Sequence, residues 1–301
     1  MAIFGNTLDC DSSKKGTGLS DCIQELGKPI GFIDLSTSWS ANTTTDTFNQ
    51  AYFTNLLLEG TFIPFGDSVD FADNTEDDVF QTFTSGDKRL VRDGKPEFDF
   101  IYTKGYHWHA AAYSHNSNQN GAVAFVWDNG VIGFAITGQG TIAGLKRGYL
   151  KTKTFQNNDG SNVSQTMISF QLRDAKEYNT SMYLINEDNL GASLDDVMKG
   201  AIDTRLAVTA AVATGATTFS VNVTAAGNQG LPILGLLPAN FQVSGQIVAG
   251  AVYNATTKEY DITIDAATAG SKVISLGNGS NEIAVDLSGT IYSGSGEFTV
   301  A

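Results

Sequence analysis

Along most of the chain, hydrophobic and polar positions alternate with period two between turn residues, the pattern of half-buried strands. Glu97-Phe-Asp-Phe-Ile-Tyr, Ala122-Val-Ala-Phe-Val-Trp and Thr166-Met-Ile-Ser-Phe-Gln-Leu are the clearest cases. Asn129-Gly130 follows the second, and both residues tolerate positive φ, so a tight hairpin turn is expected there. Asn158-Asp-Gly160 predicts another turn, joining strands over 148–155 and 163–172. Two segments carry helical spacing. Residues 193–206 open with Ser193 as a cap and Asp195 and Asp196 at the positive end, and they place Leu194, Val197, Met198 and Ile202 on one face. Gly200 weakens that reading. Residues 46–59 bring together Phe48, Tyr52, Phe53, Leu56 and Leu57 before Gly60 as a stop, although their Thr-rich approach suits a strand equally well.

Composition then divides the chain. A 301-residue chain exceeds the roughly 250–300 residues at which one core stops growing, so two domains are expected. Residues 1–205 hold 16 of the 18 basic and 26 of the 32 acidic side chains. Residues 206–301 are largely Ala, Thr, Val, Gly and Ser, and such a shift marks a boundary. The fold class is mainly β. Residues 1–205 form a β sandwich or barrel with one or two helices. Residues 206–301 form an immunoglobulin-like β sandwich of seven short strands, among them 217–224, 241–248, 260–264, 272–276, 282–287 and 296–300. That likeness is architectural, since the Cys-Trp-Cys signature is missing.

The net charge of −14 changes the functional picture. Gripping DNA requires neutralising phosphates, and anionic membranes attract basic segments, so neither partner fits an acidic chain. An acidic surface does let DNA pass without holding it. Met1 is not followed by a signal-peptide pattern, and the most apolar stretch, 231–248, is interrupted by Pro232, Gly235, Pro238, Asn240 and Gln242. Synthesis in the cytoplasm without secretion is expected. Cys10 and Cys22 flank a short Ser/Lys/Gly loop; a disulfide and a pair of plain thiols stand level as readings.

Candidate chemistry is sparse. His107-Trp-His109, read as a strand, would put both imidazoles on one face toward a metal, with His115 able to join after a turn; since no acid or thiol lies at matching spacing, aromatic packing is the expectation and no metal or cofactor is assigned. Asp67, Asp70, Asp73, Glu76, Asp77 and Asp78 crowd one loop without calcium-hand spacing. They suit a solvated loop first; weak calcium binding, or contact with a basic patch of another copy such as Lys88, Arg89 and Arg92, comes second. No nucleophile elbow, phosphate loop or dinucleotide fingerprint occurs, so the chain reads as a non-enzyme.

The run Asp87-Lys-Arg-Leu-Val-Arg-Asp-Gly-Lys-Pro-Glu-Phe-Asp-Phe, then Ser114-His-Asn-Ser-Asn and Val126-Trp-Asp-Asn-Gly-Val-Ile-Gly, resembles tailed-bacteriophage virion proteins. Gly144-Leu-Lys-Arg-Gly-Tyr-Leu-Lys-Thr and Ser169-Phe-Gln-Leu-Arg-Asp-Ala-Lys-Glu-Tyr share this character, and the likeness covers residues 25–185. Within that group the chain looks most like a tail tube protein, or a tube-like ring or hub component. The resemblance implies a homo-oligomer of stacked hexameric rings. It further implies an appended immunoglobulin-like domain, contacts with other virion proteins, and DNA only as non-specific cargo through an acidic lumen. Localisation would be the virion, assembled in the host cytoplasm. A second reading is a capsid-associated, decoration or adhesion protein whose C-terminal domain binds host surface glycans.

Overall fold

The computed structural model describes residues 26–138, 140–190, 193–226, 231–278 and 282–301. Cys10 and Cys22 lie outside them. The chain is mainly β and divides into two compact units: residues up to Phe53 with Thr61–Lys199, and Thr54–Gly60 with Gly200–Ala301.

The first unit begins with β1 (Pro29–Leu35), β2 (Ser40–Asn42), α1 (Gln50–Leu58, of which the first turn belongs here), β3 (Phe62–Phe65), β4 (Asp70–Asp73), β5 (Val79–Thr82), β6 (Lys88–Arg92) and β7 (Glu97–Tyr102). It continues with α2 (Tyr106–Ser114), β8 (Gly121–Trp127), β9 (Val131–Gly138), β10 (Thr141–Ala143), β11 (Leu145–Thr152) and β12 (Thr166–Leu172). The last elements are α3 (Ala175–Thr180), β13 (Met182–Asn186), α4 (Glu187–Leu190) and α5 (Leu194–Val197). An 11-stranded sheet runs β2-β10-β9-β8-β11-β12-β7-β4, with β1 bridging β8 and β3, and β13 added on β9. β5 and β6 pair only with each other.

Alternation explains the core. Phe98 and Phe100 on β7, Phe125 on β8 and Phe170 on β12 all point inward into one core with Phe32 of β1, with ring centroids 5.0 Å apart for Phe32–Phe170 and for Phe98–Phe125. Burying each ring is worth roughly 2–3 kcal/mol. The Asn129-Gly130 turn joins β8 to β9 as the spacing predicts, with Gly130 at φ 77°. β11 and β12 likewise pair across the 158–160 turn.

Three expectations need correction. The helix read over 193–206 is only the single turn α5; Ser193 does cap it, accepting from the Asp196 amide, but the run ends at Val197 with Met198 as its C-cap, and Ile202 starts a strand. The stretch from Asp67 to Asp78, read as one loop, contains β4 and leads into the β5–β6 hairpin. His107 and His109 lie on α2, where positions two apart point to different sides.

The second unit holds β14 (Ile202–Val208), β15 (Thr218–Ala225), β16 (Phe241–Val243), β17 (Val248–Asn254), β18 (Glu259–Ile264), β19 (Gly270–Leu276), β20 (Ala284–Leu287) and β21 (Thr290–Val300). They form one eight-stranded sheet, ordered β16-β19-β21-β14-β15-β18-β17, with β20 on β21. β14 runs parallel to β21 and antiparallel to β15. Val221, Tyr260, Ile262, Ile274 and Leu276 share one core, so the sheet must curl around it. The expected strand 241–248 is broken at Gly245, whose φ of 68° turns β16 into β17.

Candidate subunit interface

β4 and β7 form an antiparallel pair, Asp70 opposite Ile101 and Asp73 opposite Phe98, and this ribbon does not stop at the sheet edge. The Asn74 amide donates to the Glu97 carbonyl at 2.8 Å and the Glu76 amide to the Lys95 carbonyl at 3.2 Å, carrying the pairing outward to β5 and β6. Val79 then faces Arg92, Phe80 faces Leu90 and Gln81 faces Arg89. The turn closes where Phe83 donates to the Asp87 carbonyl and Gly86, at φ 87°, donates to the Phe83 carbonyl. The result is a two-stranded arm rooted in the core sheet.

Every residue from 73 to 93 is exposed. Successive strand side chains point to opposite faces. Phe80 and Leu90 therefore lie on one face, 53% and 50% exposed, while Phe83 lies on the other under the Arg89 guanidinium, 5.7 Å from the ring centre. Val91 is 62% exposed. An isolated two-stranded hairpin is marginal in water, and neither face of this one is covered by the chain described.

The acidic residues are largely occupied within the chain. Asp67 pairs with Lys104 at 2.8 Å, Asp70 with Lys28 at 3.2 Å and Glu76 with Arg92 at 3.1 Å. The amide of Phe71 and the ammonium of Lys28 hold the Asp70 carboxyl below the usual carboxylate value. Asp73 accepts from the Thr75 amide, and Asp78 accepts from the Gly94 amide at 2.7 Å. Lys88 and Asp77 enter no ion pair among the described residues. Near the root of the arm, Asp73, Asp78, Asp93, Lys176 and Asn179 line an open cleft of about 420 Å³. The structure thus gathers the acidic and basic stretches onto one ribbon. The apolar residues between the charges are what the sequence reading left out, although Val-Phe-Gln-Thr-Phe and Lys-Arg-Leu-Val-Arg around Ser85-Gly86 carry a hairpin signal.

The histidines take separate places. His109 is buried against Tyr106, Tyr113 and Phe155, with Nδ1 3.2 Å from the Thr166 hydroxyl, and burial holds its pKa below the usual imidazole value. His107 is exposed. No group of three or more metal-ligating side chains occurs among the described residues.

Two polar groups that the sequence reading missed sit deep in this unit. Arg147 Nη2 and Nε donate to Asp34 Oδ1 at 2.7 and 3.0 Å, with the arginine side chain 5% exposed. Asp99, also buried, accepts from Lys153, Asn74 and the Ser169 hydroxyl. Both sets satisfy their own hydrogen bonds and hold strands together.

Comparison with known proteins leaves the site to speak for itself. A scan against protein-family models gives no match, and neither does a search of curated proteins. Among the described residues no helix is long and apolar enough to cross a membrane.

Proposed function

We propose that this chain is a structural subunit of a phage virion, a tail tube protein that assembles through the β5–β6 arm into stacked hexameric rings. The observation that carries the reading is the arm, whose 21 consecutive exposed positions, 73 to 93, include apolar side chains on both faces. A surface of that kind is stable in water only when another surface covers it. We take its partner to be a second copy, since a hairpin seated on the next molecule makes a head-to-tail contact, the kind that gives a ring where the rotation closes. The ring number comes from the family resemblance. The net charge of −14 supports a channel through which DNA slides, since carboxylates repel phosphates and release no counterions.

Negative-stain microscopy of the purified chain tests the proposal. Rings or tubes are expected, and they should vanish when residues 79–92 are replaced by a short Gly-Ser turn. A strictly single-chain species at high concentration would overturn it.

A further inference from the structure

The arm and the core sheet share the same two segments of chain, yet their hydrogen-bond ladders do not join. On the core side the last rungs are the Asn74 amide on the Glu97 carbonyl and the Glu76 amide on the Lys95 carbonyl, at 2.8 and 3.2 Å. The next rungs belong to the arm, where Val79 faces Arg92. Between them, among the described residues, no backbone hydrogen bond joins 77–78 to 93–94. β5 and β6 accordingly pair with each other and with no strand of the core sheet. A ribbon without rungs is the place where such a structure opens or bends first.

The core side of this gap is fixed. Asn74 is bound twice, by its amide to Glu97 and by its side chain to Asp99 at 2.9 Å, and Asp99 in turn accepts from Lys153 at 2.8 Å and from the Ser169 hydroxyl. The strands also press together here, because a Cβ on Gly94 would collide with the Glu76 carbonyl oxygen. Side chains then cross the gap where the backbone does not. Asp78 accepts from the Gly94 amide at 2.7 Å, and Arg92 of β6 donates back to Glu76 on the core side at 3.1 Å. The two bonds are unequal. Arg92 and Glu76 are 53% and 45% exposed, and an ion pair in water contributes little. The Asp78 bond is charge-assisted and partly buried, which makes it the stronger.

We infer that residues 77–78 and 93–94 are a hinge, and that Asp78, seconded by the Arg92–Glu76 pair, is the clasp that sets the resting angle of the arm on the core sheet. With the clasp closed, Phe80 and Leu90 are presented in one direction. With it open, the hairpin stays paired and swings as a unit, because its rungs from Val79–Arg92 to Thr82–Lys88 lie wholly beyond the gap. A preset angle lowers the ordering cost of docking, and that use of the hinge rests on the assembly proposed above. The hinge itself is a property of the single chain.

Double electron–electron resonance between nitroxides on Thr84→Cys, at the tip of the arm, and Ser161→Cys, in the exposed turn after β11, tests it. The full chain carries Cys10→Ser and Cys22→Ser and is diluted with an excess of unlabelled chain, so that only distances within one molecule are read. This parent should give one dominant distance. Asp78→Ala with Arg92→Ala should lose that peak to a broad distribution at an unchanged thermal midpoint. Asp78→Asn with Arg92→Lys keeps an acceptor and a cation, and should restore the peak. A broad distribution in the parent overturns the inference, as does a peak equally sharp in the alanine variant. So does a peak missing from the Asn/Lys variant, since the loss would then come from disruption and not from the missing acceptor. A large fall in the alanine variant's midpoint overturns it too, by showing that these side chains hold the core sheet instead. Rings in the microscope report on assembly alone: their absence beside a sharp parent peak that the alanine variant loses sinks the assembly reading and leaves the hinge standing.

Discussion

Arg147 and Asp34 show what one buried charge demands of its surroundings. A guanidinium 5% exposed has left water, and a carboxylate 2.7 Å away compensates its charge. Burial raises Asp34 above the usual carboxylate value, and the charge and hydrogen bonds of Arg147 offset only part of that rise. Asp34→Asn should cost about 3–5 kcal/mol, since it strands the arginine, whereas the apolar pair Asp34→Leu with Arg147→Met should recover most of the loss. Urea midpoints measure both. Gly121 belongs to the same arrangement, because a Cβ there would occupy the space of the Arg147 guanidinium. None of this is legible in the sequence: the partners stand 113 positions apart and neither sits in a motif. His109 makes a pH-dependent counterpart. Burial holds its pKa low, so the unfolded chain binds the proton first as pH falls. The stability it contributes is complete above its ordinary value of 6.5 and is lost as pH falls through the lower folded value. His109→Asn should flatten the fall in urea midpoint between about pH 7.5 and about pH 5 relative to wild type.

Among the elements, β7 and β12 were legible because their aromatic and aliphatic positions recur with period two, and β8 because a short apolar run, buried at all seven positions, ends at the Asn129-Gly130 turn. α2 was hidden. Its Tyr-His-Trp-His start has weak helix propensity and imitates a strand, and only Ala110-Ala-Ala112 signals the helix. β14 was hidden for the opposite reason: Leu194, Val197 and Ile202 fit a helical face until Gly200 interrupts it. The arm was masked by its own charges, which drew the eye to solvent while Phe80, Phe83 and Leu90 sat between them. Phe80→Ser with Leu90→Ser should leave the unfolding free energy of the unassembled chain within about 0.5 kcal/mol of wild type, and its thermal midpoint nearly unchanged, because exposed side chains contribute little to folding. The same change should abolish rings in the microscope. A large drop in the midpoint would mean that the hairpin packs on its own unit instead.

At the scale of the whole molecule, charge and assembly oppose each other. Copies at −14 repel over about a Debye length, roughly 10 Å at 0.1 M salt. Assembly driven by Phe80 and Leu90 should therefore strengthen as salt rises from about 0.05 M to about 0.5 M, where screening removes most of the repulsion. Light scattering across that range checks the sign; weakening would point to Lys88, Arg89 and the acidic side chains as the principal contact. The mainly β class was readable from period, since it depends on local pattern. The curling of the second sheet, with its first strand parallel to its last, depends on pairings between distant strands that no local pattern encodes.

The rooting of the arm has a mechanical consequence. Its two strands are the same covalent chains that become β4 and β7, and β7 is stitched to β12 from Glu97 to Tyr102. Tension applied at Phe83 would run down the backbone and spread as shear across that ladder, where many hydrogen bonds resist together and none must yield alone. A hook anchored in this way can hold against a pull along its length while staying free to swing sideways.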